Sequence, residues 1–391
     1  MKRVCVVTGS RAEYGLLRWV MEGFKNSDVC SLQTVVTGMH LSPEFGSTWK
    51  IIEADGFSID WKVEMLLGSD SASAVTKSMG IAMIGFADAF SHLKPDLLVV
   101  LGDRFEILAA ASAALIAGIP IAHLHGGELT EGAYDDAIRH SLTKMSHLHF
   151  TAASDYRNRV IQLGEDPARV WDVGGFGLDS IANVDLLSRV EVEDNLNISL
   201  GDKSLLVTFH PETIPDAVPE QQLEELLFAL GQVSAAIVFT MPNADNKNRI
   251  LRAMIEDFVQ QQAGRAVVRA SLGQQLYLST LAEVNAVVGN SSSGLIEAPA
   301  FGKGTVNIGR RQDGRLRAKS VVDCKAYRSD IADAIEQVLD PRFQAKITGQ
   351  QNPYGSGGAS AKTVSIIEKW FNYETSISKR FHDLPQMEGR V

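Results

Sequence analysis

The chain has 391 residues, a formal net charge of −10, 45% hydrophobic and 21% charged residues. That length exceeds one ordinary core and predicts two domains of under about 200 residues each. The composition excludes disorder, and the negative charge disfavours nucleic acid and anionic membrane as partners.

No run approaches the roughly 20 apolar residues that span a bilayer. Residues 4–7 read as a first buried strand rather than a signal peptide. Cys5, Cys30 and Cys324 are odd in number and widely spaced. They read as reduced thiols, so a cytoplasmic location is expected.

Apolar runs rich in Val, Ile and Leu recur at 3–8, 32–37, 96–101, 119–124, 148–152 and 170–173. A second series follows at 204–209, 235–240, 266–269, 286–288, 305–308 and 320–322. Helical periodicity fills the gaps. Continuous apolar strands alternating with helices predict an α/β protein with two doubly wound, Rossmann-like parallel-sheet domains. The polar stretch 179–201 places the boundary near 180, giving domains 1–180 and 181–360. The remainder, 361–391, is a C-terminal helix and tail expected to pack back on the domain junction. Val364, Ile367 and Trp370 share one face of that helix, and residues after Ser378 read as exposed and poorly specified. Nearly every strand ends in a polar turn. Ligands of open α/β sheets bind outside those ends, so a central cleft between the domains is the natural site.

The chemistry-bearing turns follow in chain order. Thr8-Gly9-Ser10-Arg11 offers a cation, Arg11, which alone reads as a solvated helix-start charge. Gly102-Asp103-Arg104 offers an Asp to act as a base or hold a neighbouring group, or a structural Asp–Arg pair at a helix start. His123 and His125 alternate along one strand, which predicts a shared face. Gly126 and Gly127 permit close approach, and Glu128 follows. The loop 132–136 opens an amphipathic helix with Ile138, Leu142 and Met145 inward. One of Asp135 and Asp136 is expected to cap it. The other carboxylate, with His125 and Glu128, would form an acid–base group. His-x-His permits a metal, but no further ligand pattern accompanies it, and none is expected.

In the second half, His210 ends a strand before Pro211, where it would donate to a phosphate oxygen or serve as a cap. The run 288–294, Val-Gly-Asn-Ser-Ser-Ser-Gly, followed by Glu297, reads as a phosphate cradle or as a set of N-caps. Arg310, Arg311, Arg315, Arg317 and Lys319 form a basic cluster suited to an anionic ligand. Neither 8–15 nor 173–177 fits G-x-G-x-x-G, and no P-loop is present. NAD and ATP chemistry therefore lose support.

Taken together, TGSRAEYG, VTGMH, LGDRFEI, HLHGGE, YDDAIRHSLTKMSHLHF, FHPET, GNSSSGLIE and NIGRRQDGR resemble the hydrolysing UDP-N-acetylglucosamine 2-epimerases of bacterial sialic acid synthesis, in register over about residues 1–375. The resemblance implies the GT-B arrangement, with 181–360 as the UDP-binding domain. It implies elimination of UDP across C1–C2 to a 2-acetamidoglucal, then hydration to N-acetylmannosamine, with no cofactor. By position, Arg11 and Arg104 resemble substrate contacts, Asp103 and Asp135 acidic catalytic positions, and His210 the diphosphate-side histidine. Asn243, Ser291, Ser292 and Glu297 resemble nucleotide contacts, and Arg311 a basic position near the sugar phosphate. Many epimerases of the wider family carry Glu where this chain has His125. Acid–base work therefore falls to His125, to Glu128, or to Asp103 with Asp135. The expected partner is a UDP-linked N-acetyl amino sugar, and the expected assembly a homo-oligomer, dimer or tetramer.

Rival readings are the same reaction on UDP-2,4-diacetamido-2,4,6-trideoxyglucose, a non-hydrolysing 2-epimerase, a GT-B glycosyltransferase, and a nucleotide-sugar-binding regulator.

Overall fold

An uninterrupted run of Val, Ile and Leu cannot leave either face in water. Each such run in this protein becomes a parallel strand, and the central ones are buried on both faces. The computed structural model describes every residue except 70, 131–133, 211–217, 242–248, 270–271, 374–377 and 385–391.

Two compact units result: Met1–Glu128 with Tyr134–Ser180 and Gly357–Val391, and Leu129–Ala133 with Ile181–Ser356. The first holds β1 (Lys2–Thr8), β2 (Cys30–Thr37), β3 (Trp61–Val63), β4 (Leu97–Leu101), β5 (Ile121–Leu124), β6 (Leu148–Thr151) and β7 (Val170–Asp172). The second holds β8 (Ser204–Thr208), β9 (Ala236–Thr240), β10 (Ala266–Arg269), β11 (Ala286–Gly289), β12 (Gly304–Ile308) and β13 (Val321–Cys324). The expected strands all form. β3 was not anticipated, because three residues carry too little periodicity.

The first sheet runs β3-β2-β1-β4-β5-β6-β7 and the second β10-β9-β8-β11-β12-β13. Every pairing is parallel. Both are doubly wound, as predicted. Strand alternation divides the core. Val4 and Val6 pack under the helices Arg11–Lys25 and Ala359–Tyr373, while Cys5 and Val7 face Phe86, Ala110 and Ala114 on the other side. Leu205 and Val207 likewise oppose Leu206 in the second unit. The order of each sheet reverses once, between β1 and β4 and between β8 and β11. These switch points decide where a ligand can sit.

The C-terminal helix completes the first unit's core. Val364, Ile367, Trp370 and Phe371 are buried in it. Gly23 makes room: a Cβ there would lie 2.8 Å from Val364 Cγ2. Asp179 accepts hydrogen bonds from the N–H groups of Gly358 (2.6 Å), Ala359 (3.0 Å) and Ser360 (2.6 Å), so a residue far away in sequence supplies the cap for this helix.

The reading of the segment after Ser378 as poorly specified is corrected over Ser378–Leu384. Lys379 Nζ lies 2.6 Å from the buried Glu165 carboxylate and donates to the carbonyls of Lys144 (2.7 Å) and Ser146 (2.6 Å). His382 N–H donates to Gly164 O at 2.9 Å. Phe381 lies over Gly164, where no side chain would fit. A buried carboxylate needs cations, and the tail supplies one. No helix among the described residues is long and apolar enough to cross a membrane. Cys5, Cys30 and Cys324 are free.

Candidate active site

At the switch point of the first unit, the turns after β1, β2 and β4 meet. Ser10 caps the Arg11–Lys25 helix by accepting from Glu13 N–H, and Arg11 is exposed at its first position. His40, wholly buried, bridges Thr8 Oγ1 (3.0 Å) and Thr48 Oγ1 (2.8 Å). Burial brings its pKa down to about 4, so it is neutral at pH 7. After β4, the Asp103 carboxylate pairs with the buried Arg139 guanidinium, and Arg104 Nε donates to Glu106 Oε1 at 2.5 Å.

The helix that contributes Arg139 spans Tyr134–Met145 and has Asp135 and Asp136 in its first turn. Neither acid is a cap, which corrects the expectation, because the helix begins before both. Asp136 faces His140 Nε2 at 3.5 Å. Asp135, one turn from Arg139, lies with Asp103, Arg104 and Arg139; burial and then the Asp103 charge raise its pKa. The spacing of Asp135 and Arg139 was available from sequence. The pairing of Arg139 with Asp103 was not.

His123 and His125 do not share a strand face. β5 ends at Leu124, and His125 takes φ 62, a left-handed conformation rare for a side-chain-bearing residue. His123 is a core residue: its Nε2–H donates to Gly102 O at 2.8 Å, and burial brings its pKa down to about 3. His125 Nδ1 lies 2.5 Å from Glu128 Oε1, and its ring packs 5.4 Å from Phe176. Gly127 is required here, since a Cβ would lie 2.3 Å from Tyr156 O. Among the described residues, His125 Nε2 and the Nε and Nη1 of Arg139 are buried without partners. Buried polar atoms are normally satisfied, so these atoms, next to the Asp103 and Glu128 carboxylates, are open to a ligand's polar groups.

The switch point of the second unit is organised by Asn290. Its side chain accepts from His210 N–H (2.7 Å) and donates to His210 O (2.8 Å), joining the ends of β8 and β11. Its carbonyl accepts from Arg311 Nη1 (3.0 Å) and Gln312 Nε2 (2.8 Å). Gly289, at φ 136, allows this approach: a Cβ would lie 1.9 Å from Thr208 O. Burial, then the Arg311 charge, brings the His210 pKa down to about 3. The histidine is therefore neutral and can donate one N–H without bringing a charge.

Ser291, Ser292 and Glu297 follow at the same sheet edge. Ser292 holds the cap position of the Ser293–Ile296 helix but makes no side-chain cap bond. Ser291 Oγ accepts from Ser293 N–H at 3.4 Å, and Ser293 Oγ lies 2.6 Å from Tyr277 OH. With one turn of helix, an anion at this turn would meet local N–H groups rather than a macrodipole. The basic cluster is partly neutralised: Arg317 pairs with Asp313 and Asp323, and Arg310 with Asp313. Asn243 and 211–213 lie outside the described residues.

A doubly wound unit with polar turns gathered at its switch point, present twice, defines the class of α/β protein that takes a ligand at its strand ends. Comparison with known proteins narrows that class. The model of the UDP-N-acetylglucosamine 2-epimerase family matches residues 22–368. A Campylobacter jejuni serotype O:2 relative named GDP/UDP-N,N′-diacetylbacillosamine 2-epimerase (hydrolyzing) is 39% identical, over 98% of this chain and 99% of its own. The Escherichia coli polysialic acid biosynthesis protein P7 is 36% identical, over 99% and 98%. The solved UDP-GlcNAc 2-epimerase of Neisseria meningitidis bound to UDP-GlcNAc superposes with a TM-score of 0.80 at 19% identity, covering 94% of this chain and 100% of that one. The chain belongs to the UDP-N-acetylglucosamine 2-epimerase family.

Proposed function

We propose that the protein is a hydrolysing 2-epimerase, converting a UDP-linked N-acetyl amino sugar and water to UDP and the free sugar inverted at C2. The observation that carries this reading is the first-unit group: Asp135 with its raised pKa beside Asp103, together with the buried unpartnered donors of Arg139 and His125. Proton abstraction from a weakly acidic carbon needs a carboxylate that is a stronger base than usual, and crowding by a second carboxylate provides it.

In this mechanism Asp135 takes the C2 proton while the C1–O bond to UDP breaks, leaving the C1=C2 glycal. Arg139 donates to a sugar-side oxygen and Arg104 balances the developing charge. Water then adds its oxygen to C1 and passes a proton to His125, C2 is protonated on the opposite face, and the proton held by Asp135 is released to solvent with UDP. His125, oriented by Glu128, is the donor for that second proton. In the second unit, His210, Ser291, Ser292 and Arg311 receive the diphosphate and Glu297 the ribose hydroxyls, with Asn243 as a further nucleotide contact; Arg11 is the first unit's nucleotide contact.

UDP-N-acetylglucosamine, giving N-acetylmannosamine, is the first substrate reading, supported by the family match and the polysialic acid relative. The 39% identical relative favours a second, UDP-2,4-diacetamido-2,4,6-trideoxyglucose. Proton NMR of each sugar nucleotide with the protein in D₂O separates them. Free UDP and a product deuterated at C2 are expected with one. A product still carrying UDP would replace the hydrolysing reading with the non-hydrolysing one, and silence with both would sink the enzyme reading.

A further inference from the structure

Beneath the first-unit site lie two carboxylates that the mechanism above does not use. Glu106 is fully buried and Glu13 is 5% exposed. Each stands in the first turn of its own helix, Phe105–Ile116 and Arg11–Lys25. Two glycines make their space. A Cβ on Gly9 would lie 2.6 Å from Glu106 Cγ, and one on Gly38 would lie 3.1 Å from Gly9 O and 3.4 Å from Glu106 Oε1. The turns after β1, β2 and β4 thus close around one buried carboxylate.

The hydrogen bonds are divided unevenly. Glu13 Oε2 accepts from Gly9 N–H at 2.7 Å, and Glu106 Oε1 accepts from Arg104 Nε at 2.5 Å. Glu13 Oε1 and Glu106 Oε2 remain buried without partners among the described residues. Two neighbouring buried carboxylates cannot both ionise without a large cost, and a single proton between them relieves it. Burial, then the Glu106 charge, pushes Glu13 up to about 8. Asp103 adds to that push and Arg104 opposes it. Arg104 itself is partly exposed, and the Asp135 charge acts on it as well.

We propose that Glu106, backed by Glu13, is a positioning residue that fixes the Arg104 guanidinium at the switch point of the first unit and so sets the cation beside Asp135. This rests on the reading of Arg104 as a substrate contact. A flexible arginine at a turn samples many rotamers; an anchored Nε removes most of that freedom before substrate arrives.

The test is a double-mutant cycle on the full chain, with UDP release measured on whichever of the two sugar nucleotides it turns over. Arg104→Ala is expected to lower kcat/KM by about 100-fold and Glu106→Gln by about 10-fold, chiefly through KM. The double variant should be no worse than Arg104→Ala, because Glu106 acts through Arg104. Glu106→Asp should restore part of the loss, and it serves in the cycle if the Gln variant does not fold. Wild-type kcat/KM in Glu106→Gln, or full additivity in the cycle, overturns the proposal.

Melting temperature against pH gives a readout independent of turnover. Folded Glu13 holds a proton that the unfolded chain releases near pH 4.5, so stability falls as pH rises from there to about 8. Removing the Glu106 charge should flatten that slope; an unchanged slope means the two carboxylates are not coupled and the proposal fails. Full turnover by Arg104→Ala would instead sink the reading of Arg104 as a contact, and this proposal with it.

Discussion

Asp135 and Asp136 show how neighbouring residues of one type are separated by their surroundings. One turns toward His140 and solvent, the other toward Asp103, Arg104 and Arg139. If Asp135 is the base, Asp135→Asn should lower kcat by about 10²- to 10⁴-fold with the fold intact. The pH profile has a defined sign. A base must be ionised, so the acid limb of kcat/KM reports the Asp135 pKa. Asp103→Asn removes the charge that helps to raise it, and the limb should move to lower pH. A limb that stays in place, in a variant that still turns over, would assign the titration to a group other than Asp135. The left-handed backbone at His125 fits its place in the site: strain of that kind persists where the surroundings hold it for a purpose.

 

In the Ala359–Tyr373 helix the apolar stripe Val364, Ile367 and Trp370 follows from the 3.6-residue period, so its buried face was legible in the sequence. Its cap was not. Asp179, which reads as part of a polar linker, accepts from three consecutive N–H groups at the start of this helix. Asp179→Ala leaves those donors buried, and a loss of about 2–4 kcal/mol is expected, measured as a lower urea midpoint at unchanged slope. A change under about 0.5 kcal/mol would mean that water replaces the carboxylate. The short β3 was missed for a related reason: three residues have no period, and only pairing with β2 makes them a strand.

At the scale of the whole molecule, the buried charges decide the response to acid. Burial alone would raise the Glu165 pKa, but the hydrogen bonds from His149, Lys144 and Lys379 outweigh it and bring it down to about 2. A depressed carboxylate contributes stability above its unfolded pKa and loses it as pH falls through the folded value. Stability is therefore expected to drop between about pH 4.5 and 2, and Glu165→Gln should flatten that drop in an acid titration followed by circular dichroism. An identical acid transition in the variant would remove Glu165 from the account. Because Lys379 belongs to the tail, cutting the chain before Ser378 should also weaken the first unit's resistance to acid.

The sequence by itself determined the two series of strands, their parallel order within doubly wound units, and the polar turns at their ends. These are properties of period and composition, which act over a few residues. Tertiary structure alone decided which charges meet: Arg139 with Asp103, Asp179 with the C-terminal helix, Lys379 with Glu165, and Glu13 with Glu106. Desolvation and Coulomb energy depend on distance in space and on local exposure to water, and a carboxylate in the first turn of a helix looks the same in sequence whether it faces solvent or a second buried carboxylate.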